Sequence, residues 1–294
     1  MNAFTIKDLE NLSGIKAHTI RIWEQRYSFL NPQRTNTNIR FYNNDELKII
    51  LNISLLNKYG YKISHINRMS ADEIKEKILS LSQVQAQQER ILNELIQYMI
   101  DLNSNAFETA LDSYIFSRGI EKTITYIIFP FLERIGILWA TSNINPAQEH
   151  LVTNIIRQKL IVGIENTISH LHVNKTVLLF LPEGEHHELG LLFIYYLLKN
   201  RGAKVLYIGS DSPVKDIEYA AKLAKPDLLF THLTSVPPNF DFEKYISKIT
   251  LHIPNIPFII SGQLTQHYKK KLPPNVYLKR SLHEVIEYVS AIDA

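Results

Sequence analysis

The chain has 294 residues, 45% of them hydrophobic and 21% charged, and no cysteine. It therefore has room for two or three domains, and disulfides, thiolate metal sites and thiol nucleophiles are excluded. No apolar run approaches bilayer-spanning length, and MNAFTIKDLE lacks the basic and apolar parts of a secretion signal, so a cytoplasmic protein with no membrane partner is expected. The net charge of +3 is uneven: residues 1–70 hold ten Lys/Arg against five Asp/Glu and carry +5, leaving −2 on the remainder. A basic unit on a near-neutral body points to a polyanion partner at one end only.

The first elements are two short helices. TIKDLENLSG places Ile6, Leu9 and Leu12 on one face and stops at Gly14; IKAHTIRIWEQRY turns Ile20 and Trp23 inward. Two short helices split by a tight glycine turn are a helix-turn-helix signature. NPQRTNTNIRFY then reads as a two-stranded wing, and DELKIILNISLLNKYGYKISHINRM as two supporting helices capped by Asn44 or Asp45. The candidate DNA contacts are Lys16, His18, Thr19, Arg21 and Arg26 from the second helix, with Arg34, Arg40 and Tyr42 from the wing. The alternative is that Trp23 is core, that Lys48, Lys58 and Lys62 are solvated, and that Arg21, Arg26 and Arg40 serve internal salt bridges. The segment resembles the DNA-binding domain of MerR-family regulators over residues 3–70, through TIRIWEQRY, the wing RTNTNIRFYNNDEL and the helix end NKYG. Asn38 stands where that family's wing usually has Gly, and Asn tolerates a left-handed turn. The resemblance implies binding to double-stranded promoter DNA as a homo-oligomer, dimer or tetramer.

Residues 72–102 are helical by pattern, softly broken at SQVQAQQER, a candidate hinge. NAFETALDSYIFSRG, IEKTITYIIFPFLERIGILWATS and NPAQEHLVTNIIRQKLIVGIENT are three further amphipathic segments, so a four-helix bundle is expected. Asn145 and Pro146 read as cap and first turn of its last helix. Trp139 at one helix end and Glu149 with His150 near the next start can be bland: a partly buried indole and a solvated pair.

From Val173 strands and helices alternate. KTVLLFLP, AKVLYIGS, PDLLFTHL, PFIISG and NVYLKR are strands with helices between and after them, which makes a doubly wound parallel sheet. Ligands of such sheets bind beyond the strands' carboxyl ends, and EGEHHELG lies there, after the first strand. It has too few glycines for a dinucleotide turn and no Gly-Lys-Ser/Thr for a phosphate loop. It offers His187, with Glu185 two residues before it to fix the ring's tautomer and Gly190 three after it to admit a bulky group. Thr231 to Leu233 and Ser261–Gly262 end the neighbouring strands, and small residues there would open a slot beside the histidine.

The pattern Glu-x-His-x-x-Gly, Thr-x-Leu, Ser-Gly resembles the cobalamin-binding fold. The resemblance implies that His187 is the lower axial ligand of cobalt, that Glu185 is its hydrogen-bonded partner, and that Gly190, Thr231, Leu233, Ser261 and Gly262 line the pocket for the nucleotide tail. Three positions depart from the family's usual Asp, Ser and Gly: Glu185, Thr231 and Ser261, the last adding a side chain. Trp139 followed after nine residues by Glu149 and His150 is similar to the bundle of cobalamin-dependent MerR-type regulators of the CarH kind, in which it caps the corrin's upper face. That resemblance spans almost the whole chain. It implies a MerR-type winged helix-turn-helix at 1–75, a capping bundle at 76–170 and a cobalamin-binding Rossmann-like domain at 171–294. It also implies a repressor whose DNA affinity and oligomeric state depend on cobalamin, the adenosyl form being expected. The histidine that light-sensing members use directly after the capping Trp is here Ala140. The alternatives are a regulator of the same architecture working without cofactor, and a corrinoid carrier or enzyme. The basic head argues against the last.

Overall fold

The structure is a computed structural model that describes residues 3–140 and 144–292. The chain divides into two compact units, residues 1–155 and 156–294.

In the first unit, α1 (Ile6–Ser13) opens with a capping box. The Thr5 hydroxyl accepts from Asp8 N, the Asp8 carboxylate accepts from Thr5 N at 2.7 Å, and Gly14 ends the helix at φ 73°. α2 (Ala17–Arg26) follows across the tight turn. The wing is the antiparallel pair β1 (Gln33–Arg34) and β2 (Arg40–Phe41). Asn38 at its tip adopts φ 64°, the left-handed conformation expected of it. α3 (Asn44–Lys58) is capped one residue earlier than expected: Asn43 accepts from Glu46 N, and Glu46 closes the reciprocal bond at 2.9 Å. Glu46 at the third helical position makes this box possible, so Asn44 is the first helical residue instead of the cap.

α4 (Ile63–Ile66) and α5 (Ala71–Leu79) complete the head, and α6 (Val84–Ile100) begins the bundle. The break expected at the glutamine-rich segment falls at residues 80–83 and takes in its first two residues; from Val84 onward the segment is continuous helix. Glutamine is a good helix former, and α6 docks on α3: the buried Asn93 amide donates to Leu51 O at 3.2 Å and accepts from Arg134, while Lys48 pairs with Asp101 at 2.8 Å. α7 (Ser104–Arg118), α8 (Ile120–Thr123), a π turn (Ile124–Ile128), α9 (Phe129–Ala140) and α10 (Pro146–Glu165) follow. The π turn precedes Pro130, whose missing N–H interrupts the regular ladder. Asn145 caps α10 as expected, accepting from Ala147 N at 2.9 Å. α10 continues past the division between the units.

The second unit alternates β3 (Thr176–Pro182), α11 (Leu189–Asn200), β4 (Lys204–Ser212), α12 (Val214–Ala224), β5 (Leu228–His232), α13 (Phe242–His252), β6 (Phe258–Ser261), β7 (Val276–Lys279) and α14 (Leu282–Ser290). All pairings are parallel and the order is β4-β3-β5-β6-β7, so the winding direction switches between β3 and β5. Side chains alternate between the two faces. Leu178, Phe180, Leu229, Leu233, Phe258 and Ile260 pack with Ile217 and Ala221 of α12 and Ile246 and Ile249 of α13. Phe230, His232, Ile259 and Ser261 fall on the other face, where Phe230 meets Tyr288 of α14.

Candidate cofactor and DNA-binding sites

The loop from β3 to α11 leaves the sheet at its switch point and is built around a buried carboxylate. Gly184 turns at φ 81°, and a Cβ there would lie 2.7 Å from Pro237, so the loop needs glycine to pass under residues 234–240. Glu185 is completely buried. One carboxylate oxygen accepts from His187 N at 2.8 Å and faces His187 Nδ1 at 2.7 Å. The other accepts from Thr234 N at 3.1 Å and Ser235 N at 2.7 Å. Burial works to raise the Glu185 carboxyl, but the bonds from the His187 ring and backbone and from Ser235 outweigh it, and its pKa lies below the ordinary glutamate value. An ionised Glu185 makes Nδ1 the donor, so in a neutral ring Nε2 carries the lone pair, which is the tautomer a metal ligand needs. The His187 side chain is half exposed. The same loop is tied to the second unit's portion of α10 by Arg157 and to β4 by Tyr207, whose hydroxyl donates to Glu188 at 2.6 Å.

The slot expected beside this histidine is not open. Gly190 has its missing side chain's place taken by the ring of His232: a Cβ would stand 2.3 Å from Cδ2 and 2.4 Å from Nε2. His232 Nδ1 is bonded to Ser261 Oγ at 2.8 Å, and Ser261 is fully buried. Gly262, at φ 102°, is required by the backbone of Leu233, which a Cβ would meet at 2.2 Å. Leu233 belongs to the core on the opposite face. Thr231 is buried with its hydroxyl unpartnered. Small residues at the strand ends thus admit a neighbour from the protein itself. The sequence signal that was missed is His232: alternation along β5 puts it on the Gly190 face at the strand end. Burial drives its pKa down to about 4 against the opposing pull of Glu185, so the ring is neutral at physiological pH.

In the first unit, Glu149 and His150 occupy the opening turn of α10, their side chains 3.5 Å apart, with His150 exposed. Trp139 and Ala140 end α9, and their side chains lie outside the described residues. On the head, Lys16, His18, Arg21, Arg26 and Arg34 are exposed, and Thr19 is half-buried beside His18. Lys16 pairs with Glu10 at 3.2 Å, and Arg34 donates to Asn38 at 2.6 Å, bracing the wing tip. Arg40 is held by Glu24 at 3.0 Å and remains about a quarter exposed (28%). Tyr42 does not join the surface group. It is completely buried, its hydroxyl donating to the same Glu24, because Tyr42, just after β2, is bridged to Phe4 and turns its ring into the core. Trp23 is core, edge-on to Phe29.

Residues 4–73 match the family described as MerR HTH family regulatory protein, and residues 91–162 match the family described as B12 binding domain. The chain joins a MerR-type helix-turn-helix head to a B12-binding domain. It is 24% identical over 270 residues to the HTH-type transcriptional repressor CarA of Myxococcus xanthus, covering 91% of this chain and 89% of that protein. It is also 24% identical over 273 residues to the HTH-type transcriptional repressor CarH of the same organism, covering 90% and 91%. Among solved structures, the Methanosarcina barkeri monomethylamine corrinoid protein aligns with TM-score 0.50 at 12% identity, over 70% of this chain and 99% of that one, a likeness of fold. Among the described residues no helix is long and apolar enough to cross a membrane.

The donor set fits a metal that arrives inside a macrocycle. Among the described residues no cluster of three or more His, Cys, Asp or Glu could hold a bare ion. A single imidazole with its tautomer fixed by a buried carboxylate is instead suited to one axial position of a metal whose other ligands come with it. Among the residues expected to line a tail pocket, Thr231 is the one whose buried polar group lacks a bond in the protein.

Proposed function

We propose that the protein is a cobalamin-binding transcriptional regulator, a repressor and not an enzyme, acting in the cytoplasm on double-stranded promoter DNA as a homo-oligomer. The observation that carries the reading is the His187–Glu185 pair at the switch point of a corrinoid-type sheet, in a chain that begins with a MerR-type head. His187 would offer Nε2 to cobalt, and Glu185 would hold the ring's orientation and basicity. Trp139, Glu149 and His150 are assigned to the cap by their spacing. The division into a head at 1–75, a bundle at 76–170 and a cobalamin domain at 171–294 belongs to the same reading. The cofactor, when bound in its adenosyl form, supplies a cobalt–carbon bond that light can break. With Ala140 at the position after Trp139, the chain has no imidazole there, so any light response is weaker than in relatives that carry one or works through another group.

On the head, Lys16, His18, Thr19, Arg21, Arg26 and Arg34 present donors to the duplex, and Arg40 joins them from its pairing with Glu24. Phosphate contacts of this kind make binding fall steeply with salt. The test is a visible spectrum of the purified chain mixed with hydroxocobalamin and passed over gel filtration, beside anisotropy with a two-fold symmetric promoter fragment. Co-eluting cobalamin in the wild type and its loss in His187→Ala, with DNA binding kept, is the expected result. Equal retention by His187→Ala would move the ligand elsewhere, and a wild type that never retains any corrinoid would favour a regulator working without cofactor.

A further inference from the structure

One buried imidazole has no part in the site just described. His232 ends β5 on the face it shares with α11 and α14, its ring fills the notch at Gly190, and Ser261 Oγ holds Nδ1 at 2.8 Å. Ser261 also lies 3.4 Å from Thr231 O and is fully buried, so the clasp is built into the ends of two adjacent strands. The only way to place other atoms against Gly190 is to swing this ring out, because the hypothetical Cβ already lies within 2.4 Å of two of its atoms.

We propose that His232, clasped by Ser261, is an internal plug that determines which corrinoids the site accepts: those whose lower nucleotide tail does not have to enter between the sheet and α11. This rests on the proposed corrinoid site at His187. An imidazole is the five-membered half of a benzimidazole, so a nucleotide base entering against Gly190 would compete with this ring for space. A plugged site binds a tailed ligand only in the fraction of molecules whose plug is out, and apparent affinity falls by that fraction. A tail-less corrinoid would meet no such cost, since His187 would hold its metal from the loop before α11.

The experiment is spectral titration of the full chain with hydroxocobalamin and with diaquocobinamide, the same macrocycle without the nucleotide tail. The wild type, His232→Ala, Ser261→Gly and His187→Ala are compared. The expected result is that the wild type binds cobinamide at least as well as cobalamin. His232→Ala and Ser261→Gly should then tighten cobalamin by about tenfold or more with little change for cobinamide. Ser261→Gly keeps the ring and removes only the clasp, so it serves if His232→Ala fails to fold. A wild type that binds cobalamin but not cobinamide overturns the plug, as does unchanged cobalamin affinity in both unplugged variants. Binding of neither corrinoid by the wild type, together with cobalamin binding by an unplugged variant, also overturns it as stated, because the ring would then exclude the tail-less macrocycle too. If no variant binds either corrinoid, or His187→Ala binds both like the wild type, the His187 site itself is wrong and the plug falls with it.

Discussion

The head and the carboxyl edge of the sheet use their charges in opposite ways. On the head, cations are displayed: Lys16 is 72% exposed, Arg21, Arg26 and Arg34 lie open, and the Glu24 carboxylate serves to hold Arg40 and Tyr42. At the sheet edge a single carboxylate, Glu185, is completely buried and bonded by three backbone N–H groups and a histidine ring. Displayed charge acts at long range and tolerates an ångström of misplacement. Buried charge acts through fixed geometry and couples function to the stability of the fold. Substitutions at the edge should therefore cost folding free energy, and those on the head should cost DNA affinity.

The sharpest test of the edge is Gly262→Ala. The positive φ and the Leu233 backbone at 2.2 Å leave no side chain to yield, so a loss of about 3 kcal/mol or more is expected in urea unfolding. A loss below about 1 kcal/mol would mean that the strand ends can part and that the edge is less rigid than its contacts imply.

Glu185→Ala should follow closely, at about 3 kcal/mol, since it strands buried donors on two loops. The pH dependence carries the sign. The folded pKa of Glu185 lies below its unfolded value, so its contribution is present above that unfolded value and is lost as pH falls through the folded one. Glu185→Gln should thus differ most from the wild type at neutral pH and converge with it in acid. Constant separation down to the acid limb would show that ionisation of Glu185 is not what holds the loop.

His232 predicts a second pH window. Its folded pKa of about 4 lies below the ordinary value. Stability is therefore unaffected above pH about 6.5, declines between about 6.5 and 4 as the unfolded chain takes up the proton first, and levels off below that, by at most about 3 kcal/mol. In His232→Asn that decline should vanish. The contact itself is read by a double-mutant cycle. Gly190→Ala should cost about 2 kcal/mol in the wild type, and at least about 1 kcal/mol less beside His232→Ala, where the new methyl enters vacated space. Additive losses would separate the two residues.

The smallest effects belong to the head. Arg21→Ala should weaken promoter binding by about tenfold, lower the salt slope by about one ion and leave thermal stability unchanged. Arg40→Ala should lower both affinity and stability, because Glu24 loses a partner. Equal, purely affinity-based losses for both would erase the distinction between displayed and held arginines.

Much of this was legible in the sequence. The five strands, their parallel winding, the Gly14 turn, the left-handed Asn38 and the pairing of Glu185 with His187 all follow from local pattern, spacing and turn chemistry. So did the asymmetry of charge, which needs only counting. The sequence left open what each small residue makes room for. Gly190, Ser261 and Gly262 read as the walls of a slot, but parallel pairing of β5 with β6 brings His232 and Ser261 onto one face and Leu233 against Gly262. The volume freed by a glycine is thus claimed by whichever long-range neighbour reaches it first. Tyr42 turned inward for the same reason: the bridge to Phe4 set the register, and a one-residue difference in register decides which face a strand residue takes. Local pattern determined which side chains could act. Packing between segments far apart in the chain decided which of them face the outside, and that is where the sheet edge acquired its plug.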